Sequence, residues 1–228
     1  MKHYKIKFAG EIFEILPSGT IFWPSEQILI ASDLHLEKGS SFNHRGTFLP
    51  PYDSLDTITR LEEIIKKTSP KKILLLGDTI HDKTGLLRMS DEVKENFFSL
   101  FKKSTLILIS GNHDEELLYN NIELIPFYKL KKIFFIHQLT NDKNFQICGH
   151  FHPMVDTKFK GIRIRASCFV VSKYKIILPS FGTFTGGLNI RNNAFKRIID
   201  KGTSILMIYN QKIINIGYQP NKNLLKFL

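Results

Sequence analysis

Eight histidines are spread along the 228 residues, and six of them share one kind of place, the end of an apolar, strand-length run. ILIAS leads into Asp33-Leu34-His35, ILLL into Gly77-Asp78-Thr79-Ile80-His81, and LILIS into Gly111-Asn112-His113-Asp114. IFFI leads into His137, and FQIC into Gly149-His150-Phe151-His152-Pro153. One histidine at such a place is ordinarily a hydrogen-bonded structural residue. Six point to a common cause, because parallel strands of an αβ sheet end on one edge and ligands bind in the crevice there. Imidazole with carboxylate and amide oxygen is a nitrogen and oxygen donor set of borderline hardness, suited to Mn²⁺, Fe²⁺ or Zn²⁺. The donors outnumber what one tetrahedral ion takes, which predicts two ions about 3.5–4 Å apart sharing a carboxylate. Asp78 is the expected bridge. Asp33 with His35, and His150 with His152, stand at the two-residue spacing that extended backbone places on one side. Two dications less two carboxylates leave about +2, a site for an anionic phosphoester.

The elements that must carry these groups follow from the intervening sequence. HYKIKF, EIFEIL and TIFW, separated by Ala9-Gly10 and Pro17-Ser18-Gly19, read as a β-meander. Leu55, Ile58, Leu61, Ile64 and Ile65 fall at helical spacing, with Asp53 or Ser54 as the expected N-cap. Val93, Phe97, Leu100 and Phe101 form a second helical stripe, capped by Ser90. Strand–helix–strand alternation predicts an α/β fold with βαβ units around a mostly parallel core. Another apolar run, IILP, leads into Ser180-Phe181-Gly182, and ILMIYNQKIINIGY reads as a closing hairpin, 205–218, around Asn210-Gln211. No repeat or Pro/Ser-rich linker divides the chain, so one domain over 1–228 is expected, with the motif core at 27–187.

Composition narrows the setting. Hydrophobic residues make up 43%, which excludes a disordered or collagen-like chain. Cys148 and Cys168 are too few for a disulfide scaffold and suit a reducing compartment. No apolar run approaches the roughly 18 residues of a membrane span, and the mixed charges of MKHYKIKFAGEIFEIL are unlike a signal peptide. A cytoplasmic protein without a membrane partner is the expectation. The formal charge of +11 invites a nucleic-acid partner. Most of it is scattered lysine, however, a pattern that solvated surface charge also gives.

In their order along the chain, Asp-Leu-His, Gly-Asp-Thr-Ile-His, Gly-Asn-His-Asp, a histidine after a strand and Gly-His-Phe-His resemble the calcineurin-like metallophosphoesterases. More narrowly, DLHLEKGSSF, the following Gly46 and Leu49-Pro50-Pro51, GHFHP and LPSFGTFTGG resemble the ligase-associated DNA damage response endonucleases. The resemblance implies a four-layer αββα sandwich with two divalent ions, foremost Mn²⁺, at the strand ends. One ion is then held by Asp33, His35, Asp78 and His152, the other by Asp78, Asn112, His137 and His150. Where the superfamily often has glycine after the middle histidine, Gln138 follows His137, and the IFFI strand carries that assignment instead. Function in DNA repair and association with a DNA ligase are also implied by the branch alone.

The reaction expected of such a site is phosphodiester hydrolysis, with a hydroxide between the ions attacking phosphorus in line. His113 is the candidate acid for the leaving alkoxide, with Asp114 to orient it. His81 resembles a histidine that related nucleases place near the substrate phosphate. Asp82 reads as a supporting or solvated residue, and His3 and His44 as surface residues. Relatives acting on lipid-linked pyrophosphates insert an apolar cap after the Asn-His motif; here only about two dozen residues separate His113 from His137. An uncapped cleft suits a polymer, and DNA is the expected substrate. Arg45, Arg163 and Arg165 are the candidate phosphate grips, and Phe42 and Phe169 the candidate stacking surfaces. Arg163 and Arg165 alternate with Ile162 and Ile164, so the solvent face of a strand explains them equally well. A phosphodiesterase for cyclic nucleotides or other small molecules is the alternative enzyme, and a non-catalytic scaffold the alternative class. The oligomeric state is open: Leu224, Leu225, Phe227 and Leu228 suit packing within the chain or against a second copy.

Overall fold

The computed structural model describes residues 4–44, 46–47, 49–50, 52–114, 123–159 and 162–217. The N-terminal meander forms as β1 (Tyr4–Phe8), β2 (Glu11–Ile15), β3 (Ile21–Trp23) and β4 (Ile28–Ala31), all antiparallel. Parallel to β4 follow β5 (Lys72–Leu76), β6 (Thr105–Ile109) and β7 (Leu124–Ile125), completing a seven-stranded sheet in sequence order. Between β4 and β6 come α1 (Lys38–His44), α2 (Asp53–Thr68), α3 (Gly85–Arg88) and α4 (Asp91–Ser99). The predicted stripes are realised: Ile58, Leu61 and Ile64 of α2 and Val93 and Phe97 of α4 are buried against one face of this sheet.

Ser90 caps α4 as expected, accepting the N–H of Val93 at 3.3 Å. At α2 the expected caps are used differently. Tyr52 precedes the helix without a side-chain cap, while Asp53 accepts the Gly39 N–H and the Ser54 hydroxyl accepts that of Glu37. The two side chains tie the turn before α1 to the helix, a link between segments that local capping rules do not register.

The second sheet is built from β8 (Phe127–Leu130), β9 (Ile133–Ile136), β10 (Phe145–Cys148), β11 (Met154–Phe159), β12 (Ile162–Val171), β13 (Lys175–Ile177), β14 (Ser204–Tyr209) and β15 (Lys212–Asn215). Its order is β15-β14-β12-β13-β10-β9-β8, with β11 paired to β12. Only β9, β10 and β13 run parallel; β14 and β15 form a hairpin across Asn210 and Gln211, both at positive φ. Both sheets are therefore mixed, with parallel strands at the centre, where burial on both faces suits their continuous apolar runs.

The sheets meet face to face over Phe13, Trp23, Phe135 and Phe169, all fully buried. Trp23 lies 4.9 Å from Phe13 and 6.1 Å from Phe135, ring centre to ring centre. The helices cover the first sheet. Over the second, among the described residues, the outer layer is thinned to a 3-10 turn at Asn193–Phe195 with Ile190, Phe195 and Ile199 buried on it. The αββα sandwich is thus present, with its last layer reduced. No described helix is long and apolar enough to cross a membrane.

Because Phe135 joins the two sheets, Phe135→Ala should remove about 3–5 kcal/mol of stability, the usual cost of a large buried cavity. Urea denaturation measures it; a loss below about 1 kcal/mol would mean that the sheets do not depend on this contact.

Candidate metal centre

The carboxyl ends of β4, β5, β6, β9 and β10 all release their chain at one edge of the sandwich, and the expected donors gather there. Asp33 and Asp78 are almost wholly buried, as are His35 and His137; His150 and His152 are half-buried. His152 Nε2 lies 3.0 Å from Asp33 Oδ1 and 3.4 Å from His35 Nε2. His137 Nε2 lies 3.4 Å from Asp78 Oδ2 and 3.1 Å from His150 Nδ1. His35 Nε2 and His113 Nε2 approach Asp78 Oδ2 at 3.8 and 3.9 Å. Donors bound to one tetrahedral ion at about 2.0–2.1 Å stand roughly 3.3 Å apart, and these spacings match. Three groupings have their donor atoms within 4.8 Å of one another: Asp33-His35-His152, His35-Asp78-His113 and Asp78-His137-His150. Asp78 belongs to two of them.

The histidines are oriented from behind. His137 Nδ1 is 2.8 Å from the Leu76 carbonyl and His152 Nδ1 is 3.1 Å from that of Gly186. Each donates its Nδ1 hydrogen to the carbonyl, which leaves Nε2 as the lone-pair nitrogen turned to the cluster. Asp33 accepts the Ser32 hydroxyl at 2.6 Å and the His150 N–H at 3.0 Å, and Asp78 accepts the His113 N–H at 3.0 Å. The approach is close enough to require glycine. A Cβ at Gly149 would stand 1.7 Å from Ser32 Oγ, and one at Gly111 would stand 2.2 Å from Asp78 Oδ1.

The two-residue spacing of donors arises differently from the expectation. Asp33, His35, His150 and His152 lie beyond the strands, each at positive φ between 44° and 68°, and Asp78 is at 48°. A left-handed residue at every second position, rather than the pleat of a strand, turns both members of a pair to the same side. Leu34 and Leu36, between and after the first pair, point into the helix-side core.

Electrostatics complete the description. Burial pushes the Asp33 carboxyl up, but His152, His137 and the Ser32 hydroxyl outweigh it and hold it below the usual range. Burial likewise opposes ionisation of Asp78, and His137, the His113 N–H and His35 overcome it. Burial drives His35 down to about 3 in spite of both carboxylates. His137 is also disfavoured by burial, yet Asp78 and Asp33 raise it to about 9. In the protein alone a proton on His137 therefore supplies the positive charge that the carboxylates demand. The donor set and its charge fit divalent cations.

A family model for calcineurin-like phosphoesterases matches residues 27–167. The chain belongs to this family. With the donor set above, membership makes it a metal-dependent phosphoester hydrolase. Among solved structures it is similar to nuclease MPE of Pseudomonas putida, with 22% identity over 94% of this chain and 100% of that one, at a TM-score of 0.73; that likeness is one of fold. Yfce, a phosphoesterase from E. coli, aligns at 19% identity over 82% of this chain and 96% of its own, with a TM-score of 0.41. No curated protein sequence matches significantly.

The remaining expected residues fall as follows. Asn112 and His113 are exposed in the turn after β6. The His113 ring stacks on that of His81 at 5.6 Å, and His81 Nδ1 lies 3.3 Å from His35 Nδ1. Asp114 is fully buried, and its oxygens accept the N–H groups of Thr79 and Ile80 at 3.0 and 3.2 Å, so it fixes the loop that carries Asp78. Phe42 is half-buried and stacks on His81 at 6.1 Å. Phe169 is wholly buried between the sheets and cannot meet a base, a correction: its strand alternation points it inward. Arg163 is exposed beside Asp156, and Arg165 donates to the carbonyl of Gly187, next to the Gly186 that holds His152. His44 is exposed on α1, and Arg45 and His3 lie outside the described residues.

Two supports escaped the sequence reading. Arg88 grips both oxygens of Asp82 at 2.9 Å and also donates to Ser40, tying the loop after His81 to α1. Its signal was weak, one arginine seven residues after His81. The Gly186 carbonyl lay within the quoted LPSFGTFTGG stretch, without a side chain to mark it.

With cations removed by a chelator, the raised His137 contributes stability in full below pH 6.5, its ordinary value, and loses it as pH climbs through 9. The melting temperature of the chelated protein should therefore fall between pH 6.5 and 9, and fall less in His137→Gln. An equal decline in both proteins would show that His137 is not the group responsible.

Proposed function

We propose that the protein is a two-metal phosphodiesterase that cleaves DNA. In this reading Asp33, His35, Asp78 and His152 hold one divalent cation, and Asp78, Asn112, His137 and His150 hold the other. The carrying observation is the pair of donor triads, Asp33-His35-His152 and Asp78-His137-His150, set side by side around Asp78. Mn²⁺ is the first-choice ion for this donor set, with Fe²⁺ and Zn²⁺ as alternatives. When bound, two such ions neutralise charge on the phosphoryl oxygens and bring the pKa of a bound water to about 7.

The chain's own residues do the rest. Asp78 joins the two halves of the site, and Asp114 holds its loop rigid from behind. His113, 44% exposed on the open side of the cluster, is placed to give a proton to the leaving alkoxide. His81, stacked between Phe42 and His113, presents its ring to the non-bridging phosphoryl oxygens.

A nucleic-acid substrate is supported by the short His113–His137 interval, which leaves little chain for a lipid-binding cap, and by the fold shared with a nuclease. Arg165, at the mouth near His152, is the better placed of the described arginines to meet a phosphate. Work in DNA repair beside a ligase is supported by DLHLEKGSSF and LPSFGTFTGG. A cytoplasmic setting is supported by Cys148 and Cys168, which are buried and unpaired.

Asp78→Asn should give a folded protein that binds little metal by elemental analysis and has lost turnover; retained metal and activity would remove Asp78 from the bridge. His113→Gln should keep its metal and lose about 10²-fold or more in kcat on DNA, the usual worth of a general acid. Its loss on an aryl phosphodiester, whose leaving group needs no proton, should be much smaller. Equal losses on the two substrates would refute the acid role.

A further inference from the structure

Beyond the cluster, the outer face of the second sheet carries a groove of about 790 Å³ between the 138–143 loop and the 194–200 segment. We propose that this groove binds the single-stranded flank of the nucleic-acid substrate, leading it away from the metal centre. The proposal rests on the nuclease reading above.

The groove begins at the site. Gln138, in its wall, follows His137, and Phe151, in its floor, sets its ring edge-on to that of His150 at 5.3 Å. It ends at Tyr174 and Lys175, where β13 starts. Because Gln146 of β10 pairs in parallel with Lys175, this is the opposite end of the strand from His150. The four residues of β10 make that distance about 13 Å.

The walls are preformed. Gln146 accepts the N–H of Thr140 at 3.1 Å and donates to Asp142 at 2.7 Å, and the Lys175 ammonium donates to the carbonyls of Thr140 and Asp142 at 3.2 and 2.8 Å. Opposite, Phe195 anchors its segment in the core against Phe151 at 5.6 Å. A rigid groove binds a chain without the cost of ordering its own loops.

The lining has the chemistry of a strand site. Both carboxylates are turned to their own loops: Asp142 accepts from Thr140, Asn144 and Gln146, and Asp200 from Gly202 and Thr203. The cations are not so engaged. Lys143 and Arg197 are exposed with no anionic partner among the described residues, and Lys173 lies over the ring of Tyr174 at 5.2 Å. Rim cations over half-buried rings suit phosphates with unpaired bases, which stack on aromatic faces whatever their sequence. A duplex keeps those faces covered by its neighbours in the stack, so it gains nothing from rings at the bottom of a cleft.

The test uses the full chain loaded with Mn²⁺ and a fluorescent 12-nucleotide strand made cleavage-resistant by phosphorothioates, followed by anisotropy. The double variant Lys143→Glu with Arg197→Glu, both surface changes, should bind at least tenfold more weakly. Its dependence of log affinity on log salt should flatten by about 2, one for each lost phosphate contact. Hydrolysis of bis-p-nitrophenyl phosphate should stay within twofold of the parent. Equal affinity of parent and variant, no binding by the parent, or equal competition by polyglutamate would each overturn the groove. A parent that binds the strand through these residues but never cleaves unmodified DNA would instead overturn the nuclease reading and leave the groove standing as a strand-binding site.

Discussion

Two ionised carboxylates withdrawn from water set the terms for the rest of this structure. An uncompensated buried charge costs several kcal/mol, and Asp33 and Asp78 are 0% and 4% exposed. Hydroxyl and backbone N–H donors share the load, but the neighbours able to carry positive charge are imidazoles that are themselves disfavoured by burial. The result in the metal-free protein is a compromise, one proton held on His137 while His35 is forced neutral. Divalent cations resolve it by putting fixed charge between carboxylates and neutral imidazoles. Metal binding and stability are in that sense one property of the site.

Holding donors so close requires backbone that the chain resists. Left-handed conformation costs a non-glycine residue about 1–2 kcal/mol, and Asp33, His35, Asp78, His150 and His152 all adopt it. What over-determines these turns is packing on the far side. Leu34 and Leu36 are locked in the core under α2, Asp114 clamps Thr79 and Ile80, and Gly149 lets the two sheets' loops touch. Strain is concentrated where the chemistry is, and the sandwich holds it in place.

This explains what the sequence disclosed and what it withheld. Strand ends with polar clusters are legible because a continuous apolar run and the donors after it are both local features. The αββα order, the helical stripes and the gathering of Asp33, His35, Asp78, His137, His150 and His152 were readable on that basis. Features made by contact between distant segments were not. Asp114 carried no mark distinguishing a clamp on Thr79 from a partner for His113, and Phe169 none separating a buried strand face from a stacking surface. Asp53 and Ser54 looked like caps because the alternative, a bond to the Gly39 and Glu37 loop, exists only in the folded sandwich. The parallel content of both sheets was overestimated for a related reason: hairpin edges such as β14–β15 carry apolar runs like those of the central strands.

The +11 charge gains meaning only from position. Lys66 and Lys67 are paired along α2 with Glu62 and Glu63, and Lys131 is held by Glu11 and Glu26, so much of the total is neutralised where it stands. Charge that steers a polyanion must be unpaired and must lie along a path to the site. The thinned outer layer over the second sheet provides such a path. A helix packed there would cover the space between the 138–143 and 194–200 segments, whereas a 3-10 turn leaves it open beside His137 and His150. The reduced fourth layer and the exposed Lys143 and Arg197 then follow from one requirement, that a polymer lie across the sheet while one of its phosphates reaches the metal centre.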